Sequence, residues 1–411
     1  MEEKWLTEEW KALESLLPEG WEEKAKELGA LKGVRKIGNG QELLRLLLLH
    51  VGRGLSLRQA VVRAEQWGLP QVSDVALLKR MRASGEWLRW MCQKLVEEQR
   101  ERRKWALPVN GLRMLAVDGT SIQDPGPTGS GWRLHYAVEL PGVFCAHAHV
   151  SERREAESLR HYELGSGDLV AADRGYCRPG DIAYALESGA HVLLRWHSTS
   201  LPLLKAKGGK PFEVLGWLRK EAGAKGAEAS VWTKGGIALR LCAVAVSREA
   251  AERERARLRT GARKQGCQVS ERSLELAGYV VLVCSLPREG FALPAVLGLY
   301  RLRWQVELAF KRLKSLLEAG HVPKTDPASA RAWLQAKMLT CLLVEKLLLE
   351  AQVFSPWGFI LPGQQPMVRV PRGPRQRPPL PQPAHLHPPL PPDRQVPSRT
   401  LRRAPSQARQ R

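Results

Sequence analysis

Leu112-Arg113-Met114-Leu115-Ala116-Val117-Asp118-Gly119-Thr120-Ser121 is the stretch on which the fold turns, together with a downstream echo, Asp168-Leu169-Val170-Ala171-Ala172-Asp173-Arg174-Gly175-Tyr176. Each is a short apolar run bounded by Gly, which reads as a buried strand ending on an aspartate. One Asp-Gly after a strand is most often only a turn, because both residues suit turn geometry. Two such ends in one sheet are more informative, since neighbouring strands bring their terminal carboxylates within reach of one metal ion. Residues 133–139, 143–150 and 192–196 read as further strands, and 155–164 and 180–189 as short helices, so this region is a mixed α/β layer.

On the N-terminal side the pattern is helical. Residues 1–33 carry nine Glu and five Lys on a surface helix or two, and apolar residues recur at three and four from Gln41 to Glu98. Leu57 to Trp67, a turn at Gly68-Leu69-Pro70, then Ser73 to Met81 has the length of a helix-turn-helix. Ser73 or Asp74 would cap its second helix, which carries Lys79, Arg80 and Arg82. A helical bundle with a solvated basic face fits the same residues. On the C-terminal side, Lys210 to Ser285 adds strands at 230–234, 237–246 and 279–286 around a charged helix at 248–263, and reads as an insertion. Helices return from Pro294 to about Glu350.

Residues 355–411 hold 15 of the 28 prolines, ten Arg, one Asp and no Lys or Glu, a composition that cannot build a core. Such a stretch is what a GC-rich gene yields out of frame, so the expectation is a disordered, frameshifted tail; the nucleotide sequence of the other frame checks it. The organisation expected is then a helical domain (1–105) whose helix-turn-helix reading suits DNA binding, the first part of the mixed α/β core (106–200), the β-rich insertion (201–290), the helical remainder of the core (291–354) and the tail (355–411).

Whole-chain properties limit the function. Lys and Arg number 64 against 42 Asp and Glu, a formal charge of +22, and the isoelectric point is near 10.0, which calls for a polyanionic partner, most commonly nucleic acid. The seven cysteines are odd in number and form no C-x-x-C pair, so neither a disulfide framework nor a zinc ribbon is indicated and a reducing cytoplasm is expected. The acidic N-terminus lacks the order of a signal peptide, and no apolar run approaches the roughly 20 residues of a membrane span.

A third acid lies in Tyr300-Arg301-Leu302-Arg303-Trp304-Gln305-Val306-Glu307-Leu308-Ala309-Phe310-Lys311-Arg312-Leu313-Lys314. On a regular α-helix, Tyr300, Arg303, Glu307 and Lys314 fall within a stripe roughly 60° wide. Leu302, Val306, Ala309, Phe310, Leu313, Leu316 and Leu317 form an adjacent apolar face. An ordinary amphipathic helix with an Arg303–Glu307 pair is the plain alternative.

The spacing Y-x2-R-x3-E-x6-K, downstream of Asp-Gly-Thr and Asp-Arg-Gly-Tyr, resembles that of a DDE transposase of the bacterial insertion sequence four family. The resemblance runs from about Leu55 to Glu350. It implies an RNase H-like mixed sheet core, a β-rich insertion between the second and third acids, and cut-and-paste movement of the element through a hairpin intermediate in a synaptic homodimer. By position, Asp118, Asp173 and Glu307 correspond to the catalytic, metal-binding triad, and Tyr300, Arg303 and Lys314 to the residues that bind phosphate and the DNA end. Carboxylate oxygens suit two Mg²⁺ ions, with Mn²⁺ able to substitute. The implied partners are double-stranded DNA, as terminal inverted repeats and target, and the implied location is the bacterial cytoplasm at the nucleoid. Alternatives are a nuclease of the same fold without strand transfer and a defective DNA-binding remnant.

Other candidates are weaker. His147 and His149 alternate in a strand but no further ligand is evident, so sheet packing is favoured. Trp232 could stack on a flipped base, although core packing is the better reading with fourteen Trp in the chain. Asp124 and Asp168 lack the strand-end placement.

Overall fold

The computed structural model describes residues 9–354 apart from 34–35, 53, 103–110, 127–130 and 153; the tail read at 355–411 lies outside the described residues. The N-terminal region is helical throughout: α1 (Trp21–Glu27), α2 (Gly40–Gly52), α3 (Leu57–Gln66), α4 (Asp74–Ala83) and α5 (Gly85–Arg102). The two helices of the helix-turn-helix reading form because each has a serine N-cap. Ser56 and Gln59 make a reciprocal capping box, and the Ser73 hydroxyl accepts the Ala76 amide. Asp74 instead opens the second helix and pairs with Arg58 at 3.2 Å. Of the three bases on α4, Arg80 donates to the Lys32 carbonyl at 2.7 Å and Arg82 pairs with Asp326 at 3.0 Å. Only Lys79 is left exposed without a partner among the described residues.

The sheet follows: β1 (Arg113–Ile122), β2 (Trp132–Leu140), β3 (Phe144–Glu152), β4 (Asp168–Ala172), α6 (Pro179–Glu187), β5 (His191–Arg195), β6 (Leu203–Leu204), α7 (Val214–Glu221), β7 (Ala227–Thr233), β8 (Ala238–Ala245), α8 (Arg248–Lys264), α9 (Glu271–Leu276) and β9 (Tyr279–Cys284). All nine strands belong to one mixed sheet in the order β3-β2-β1-β4-β5-β9-β8-β7-β6, parallel only at β1–β4 and β4–β5. The strands read as an insertion therefore continue the core sheet, because β9 pairs with β5. Residues 155–164, expected as a helix, contain only a 3₁₀ turn at Leu159–His161.

Side chains alternate across each strand, so the sheet has two apolar faces. One, with Met114, Ala116, Tyr136 and Leu169, packs against the N-terminal helices and against α10 (Leu293–Leu302), α11 (Val306–Lys311) and α12 (Pro327–Phe354). The other, with Leu115, Val117, Val170 and Leu194, is covered by Tyr162, Tyr176 and α6. The long helix α12 joins the layers through buried polar contacts: Glu345 accepts the Cys145 amide at 2.9 Å, and Leu342 offers its carbonyl to Gln99 at 3.1 Å. Among the described residues no helix is long and apolar enough to cross a membrane.

Candidate active site

The parallel part of the sheet aligns the polar residues at its carboxyl end. Ala116 pairs with Ala171 and Ala172 with Leu194, so the same register carried forward sets Asp118 beside Asp173 and Asp173 beside Arg195. Asp118 is not at a turn, contrary to expectation. The ladder to β2 continues through Asp118↔Tyr136 as far as Ile122↔Trp132, while the ladder to β4 stops at Ala116. One side of β1 stays paired and holds the backbone extended; the other side opens, and the carboxylates occupy that opening.

Asp118 is partly buried. One carboxylate oxygen accepts the Gly119 amide at 2.8 Å and the other stands 3.5 Å from Arg303 Nη1. Burial pushes its pKa up to about 6, the Gly119 amide and Arg303 pull the other way, and Glu157 and Asp173 add like-charge repulsion. Asp173 is exposed and accepts the Arg174 amide at 2.8 Å, capping a 3₁₀ turn at Arg174–Tyr176. Arg195, which sequence reading missed, is half-buried beside Asp173 and Tyr300 and donates to the Tyr279 carbonyl at 3.1 Å.

Glu157 was also missed. A Cβ on Gly119 would stand 2.8 Å from one of its carboxylate oxygens, and a Cβ on Gly175 would overlap the other. The glycines that follow the two aspartates therefore admit a third carboxylate, a close approach no larger residue allows. Arg133, 3.7 Å away, is its counter-charge.

The helix bearing the remaining motif residues is not regular. After α10 it tightens to a 3₁₀ turn at Arg303–Gln305, continues as α11, and widens to a π turn at Arg312–Leu316. A single 3.6-residue period fails across these changes. Val306, Ala309 and Leu313 are buried as expected, but Leu316 is 77% exposed, swung out of the apolar face. Tyr300 and Arg303 are brought to the aspartates: the guanidinium lies 5.9 Å from the Tyr300 ring centroid, and burial beside Asp173 holds the Tyr300 phenol up at about 12. Glu307, in the first turn of α11, is exposed and makes no ion pair or hydrogen bond among the described residues. The helix that carries it packs across β1 and β2. Lys314, in the π turn, lines an open cleft of about 430 Å³ with Ser121, Gln123 and His321, past the end of β1.

The family model for the transposase DDE domain matches residues 110–343, from the start of β1 into α12. The chain belongs to the DDE transposases. It is 33% identical over 349 residues to the transposase for insertion sequence element IS421 of Escherichia coli, covering 82% of this chain and 93% of that one. The same identity and coverage hold over 348 residues for InsL of insertion sequence element IS186A from Escherichia coli K12. A transposase for element IS231F of Bacillus thuringiensis subsp. israelensis is 33% identical over 93 residues, 23% of this chain and 18% of that one. These long matches agree with the insertion sequence four reading of the motif.

DDE transposases use divalent metals. Here Asp118 and Asp173 offer hard oxygen donors crowded with Glu157, with Arg303 3.5 Å from Asp118, Arg195 beside Asp173 and Arg133 3.7 Å from Glu157, a chemistry that suits a divalent cation. The other acidic candidates have different roles. Asp168, at the opposite end of β4, is buried and bound by Arg113 through contacts of 2.6 and 2.7 Å. Asp124 lies past β1 against Gly131. Trp232 is half-buried on β7, paired across to Ala238 and Leu204, and belongs to neither apolar core. His147 sets its ring against Tyr162, with centroids 5.3 Å apart, whereas His149 meets further ligand-type residues that its own strand did not reveal.

Proposed function

We propose that the transposase moves its own insertion sequence by cut-and-paste, acting in the bacterial cytoplasm at the nucleoid as a homodimer on terminal inverted repeats. In this reading Asp118, Asp173 and Glu307 hold the metal ions. Two Mg²⁺ ions, when bound, supply activation of a water or 3′-hydroxyl and stabilisation of the leaving oxygen in an in-line attack on phosphorus. The protein's own part is electrostatic and positional. Arg303, already held against Asp118 and Tyr300, presents a forked donor to a backbone phosphate, and Lys314 adds a point charge from the cleft beyond β1. Tyr300 orients the DNA end.

The observation that supports this most is the register of the two parallel strands, which sets Asp118 level with Asp173 while Arg303 approaches from the packed helix. The test is incubation of a duplex carrying the element's terminal repeat with Mg²⁺ and the full chain. The expected result is nicking at the element boundary and then joining to target DNA, both lost in Asp118→Ala. Nicking without joining would leave a nuclease; repeat binding without nicking would leave a defective remnant.

A further inference from the structure

On the sheet face opposite Asp118, three side chains from two separate segments point unshared electron pairs at one spot. His135 on β2 faces His149 on β3 directly across the ladder, and Glu155 and His161 come from the segment that follows β3. Gly119 pairs with His135, and alternation along β1 sends Asp118 to the other side. Candidate ligand atoms of His135, Glu155 and His161 all lie within 4.8 Å of one another. His149 Nε2 is 3.4 Å and His161 Nδ1 3.3 Å from the same Glu155 oxygen.

The hydrogen bonds fix the tautomers. His161 Nε2 is 2.8 Å from the Ala156 carbonyl, which can only accept, so that nitrogen carries the proton and Nδ1 of the neutral ring is bare. His135 Nε2 is 2.9 Å from the Ser151 hydroxyl, whose own proton goes to the Glu152 carbonyl, so His135 Nδ1 is bare as well. That atom is buried without a partner, on a residue with no exposed surface. Two imidazole lone pairs and a carboxylate thus converge with no donor between them, which is repulsive unless a cation stands there. The 3.3 and 3.4 Å contacts are longer than a charge-assisted hydrogen bond. The 3.3 Å between His161 and Glu155 matches the edge of a tetrahedron whose ligands stand about 2.1 Å from its centre, roughly 3.4 Å. A backbone carbonyl on the far nitrogen of a ligating histidine is the usual supporting contact.

We propose that His135, Glu155 and His161 form a second metal site, taking one divalent ion of the zinc type on three protein ligands and separate from the catalytic carboxylates, with His149 standing beside it against Glu155. Imidazole ligands select such an ion over Mg²⁺, which favours oxygen alone. The ion would tie β2 to the segment carrying Glu157, and so hold that carboxylate against Gly119 and Gly175.

The test uses the full chain stripped of metal and titrated with Zn²⁺, then with Co²⁺ as a spectroscopic probe. The expected result is one tightly held equivalent whose Co²⁺ form shows the visible bands of tetrahedral coordination, retained in an Asp118→Ala/Asp173→Ala double variant. Glu155→Gln should weaken it by at least the roughly 10–100-fold that loss of a supporting contact costs, and His149→Ala, which removes only a neighbour of Glu155, by no more than that. His161→Ala should abolish the bands. The proposal falls if the wild type binds no Zn²⁺, in which case a proton on His161 satisfies Glu155. It also falls if Glu155→Gln binds as tightly as the wild type, or if the equivalent disappears with the aspartates.

Discussion

Strand β4 carries an aspartate at each end, and the two could hardly be treated more differently. At the amino end Asp168 is buried, gripped by both arms of the Arg113 guanidinium at 2.6 and 2.7 Å, and takes the Gly165 amide at 3.0 Å. At the carboxyl end Asp173 is exposed and takes only its neighbour's amide. Asp118, level with it on β1, has one guanidinium contact of 3.5 Å. A carboxylate whose lone pairs are all answered by the protein is a fastener. One left partly unanswered beside others of its kind is available to a cation and to the phosphates that accompany it.

The sharpest way to break this comparison is to exchange the effects. Asp168→Asn removes a buried charge and leaves Arg113 uncompensated, which should destabilise the fold by about 3–5 kcal/mol. Thermal unfolding should show the loss, while cleavage per folded molecule stays near wild type. Asp173→Ala should do the reverse. The exposed site predicts a stability change within about 0.5 kcal/mol, yet boundary nicking should fall by at least the roughly 10²–10³-fold seen when one transition-state stabiliser is removed. If Asp173→Ala unfolded the chain and Asp168→Asn abolished only catalysis, the assignment of the two ends would be inverted.

Arg303→Gln tests the connection between the helix and the strands. With the phosphate-facing donor removed, nicking should fall by the roughly 10²–10³-fold that loss of one transition-state stabiliser costs, measured by single-turnover cleavage, while Mn²⁺ binding to the free protein, followed by calorimetry, is not weakened because a guanidinium beside Asp118 only repels a cation. Arg303→Lys should recover part of the nicking, since the charge remains but the fork does not.

How much of this was legible beforehand follows from which interactions are local. The strands were readable because apolar runs punctuated by Gly are a local signal, and the spacing of Tyr300, Arg303, Glu307 and Lys314 is a linear pattern. Three things were not. The continuation of β1 past Asp118 depends on pairing with β2, which no window around Asp-Gly contains. The glycines at 119 and 175 read as turn residues, because Glu157 reaches them from a segment that holds only a 3₁₀ turn instead of the expected helix. His135 and His161 are far from His149 in the chain and meet it through sheet register and a returning loop. Even the regular helical stripe was an over-simplification, since a 3₁₀ turn and a π turn flank α11 and turn Leu316 outward.

The smallest expected effects concern proton binding at Asp118. Burial first, with Glu157 and Asp173 adding to it, holds Asp118 near 6, above the ordinary 3.8. The folded state therefore keeps this proton more tightly than the unfolded chain. In the metal-free protein the stability this group contributes is fully present below pH 3.8 and is lost as pH rises through about 6. Metal binding has the opposite sign, because only the carboxylate is a ligand: Mn²⁺ affinity should fall as pH drops below about 6. Glu157→Gln removes one of the like charges facing Asp118, so the midpoint of the Mn²⁺ titration should move to lower pH by a fraction of a unit, read by calorimetry across a pH series. An unchanged midpoint in Glu157→Gln would mean that Glu157 only fills the space between the two glycines. A midpoint moved upward would mean that it acts through Arg133 on the position of β2 rather than through its charge on Asp118.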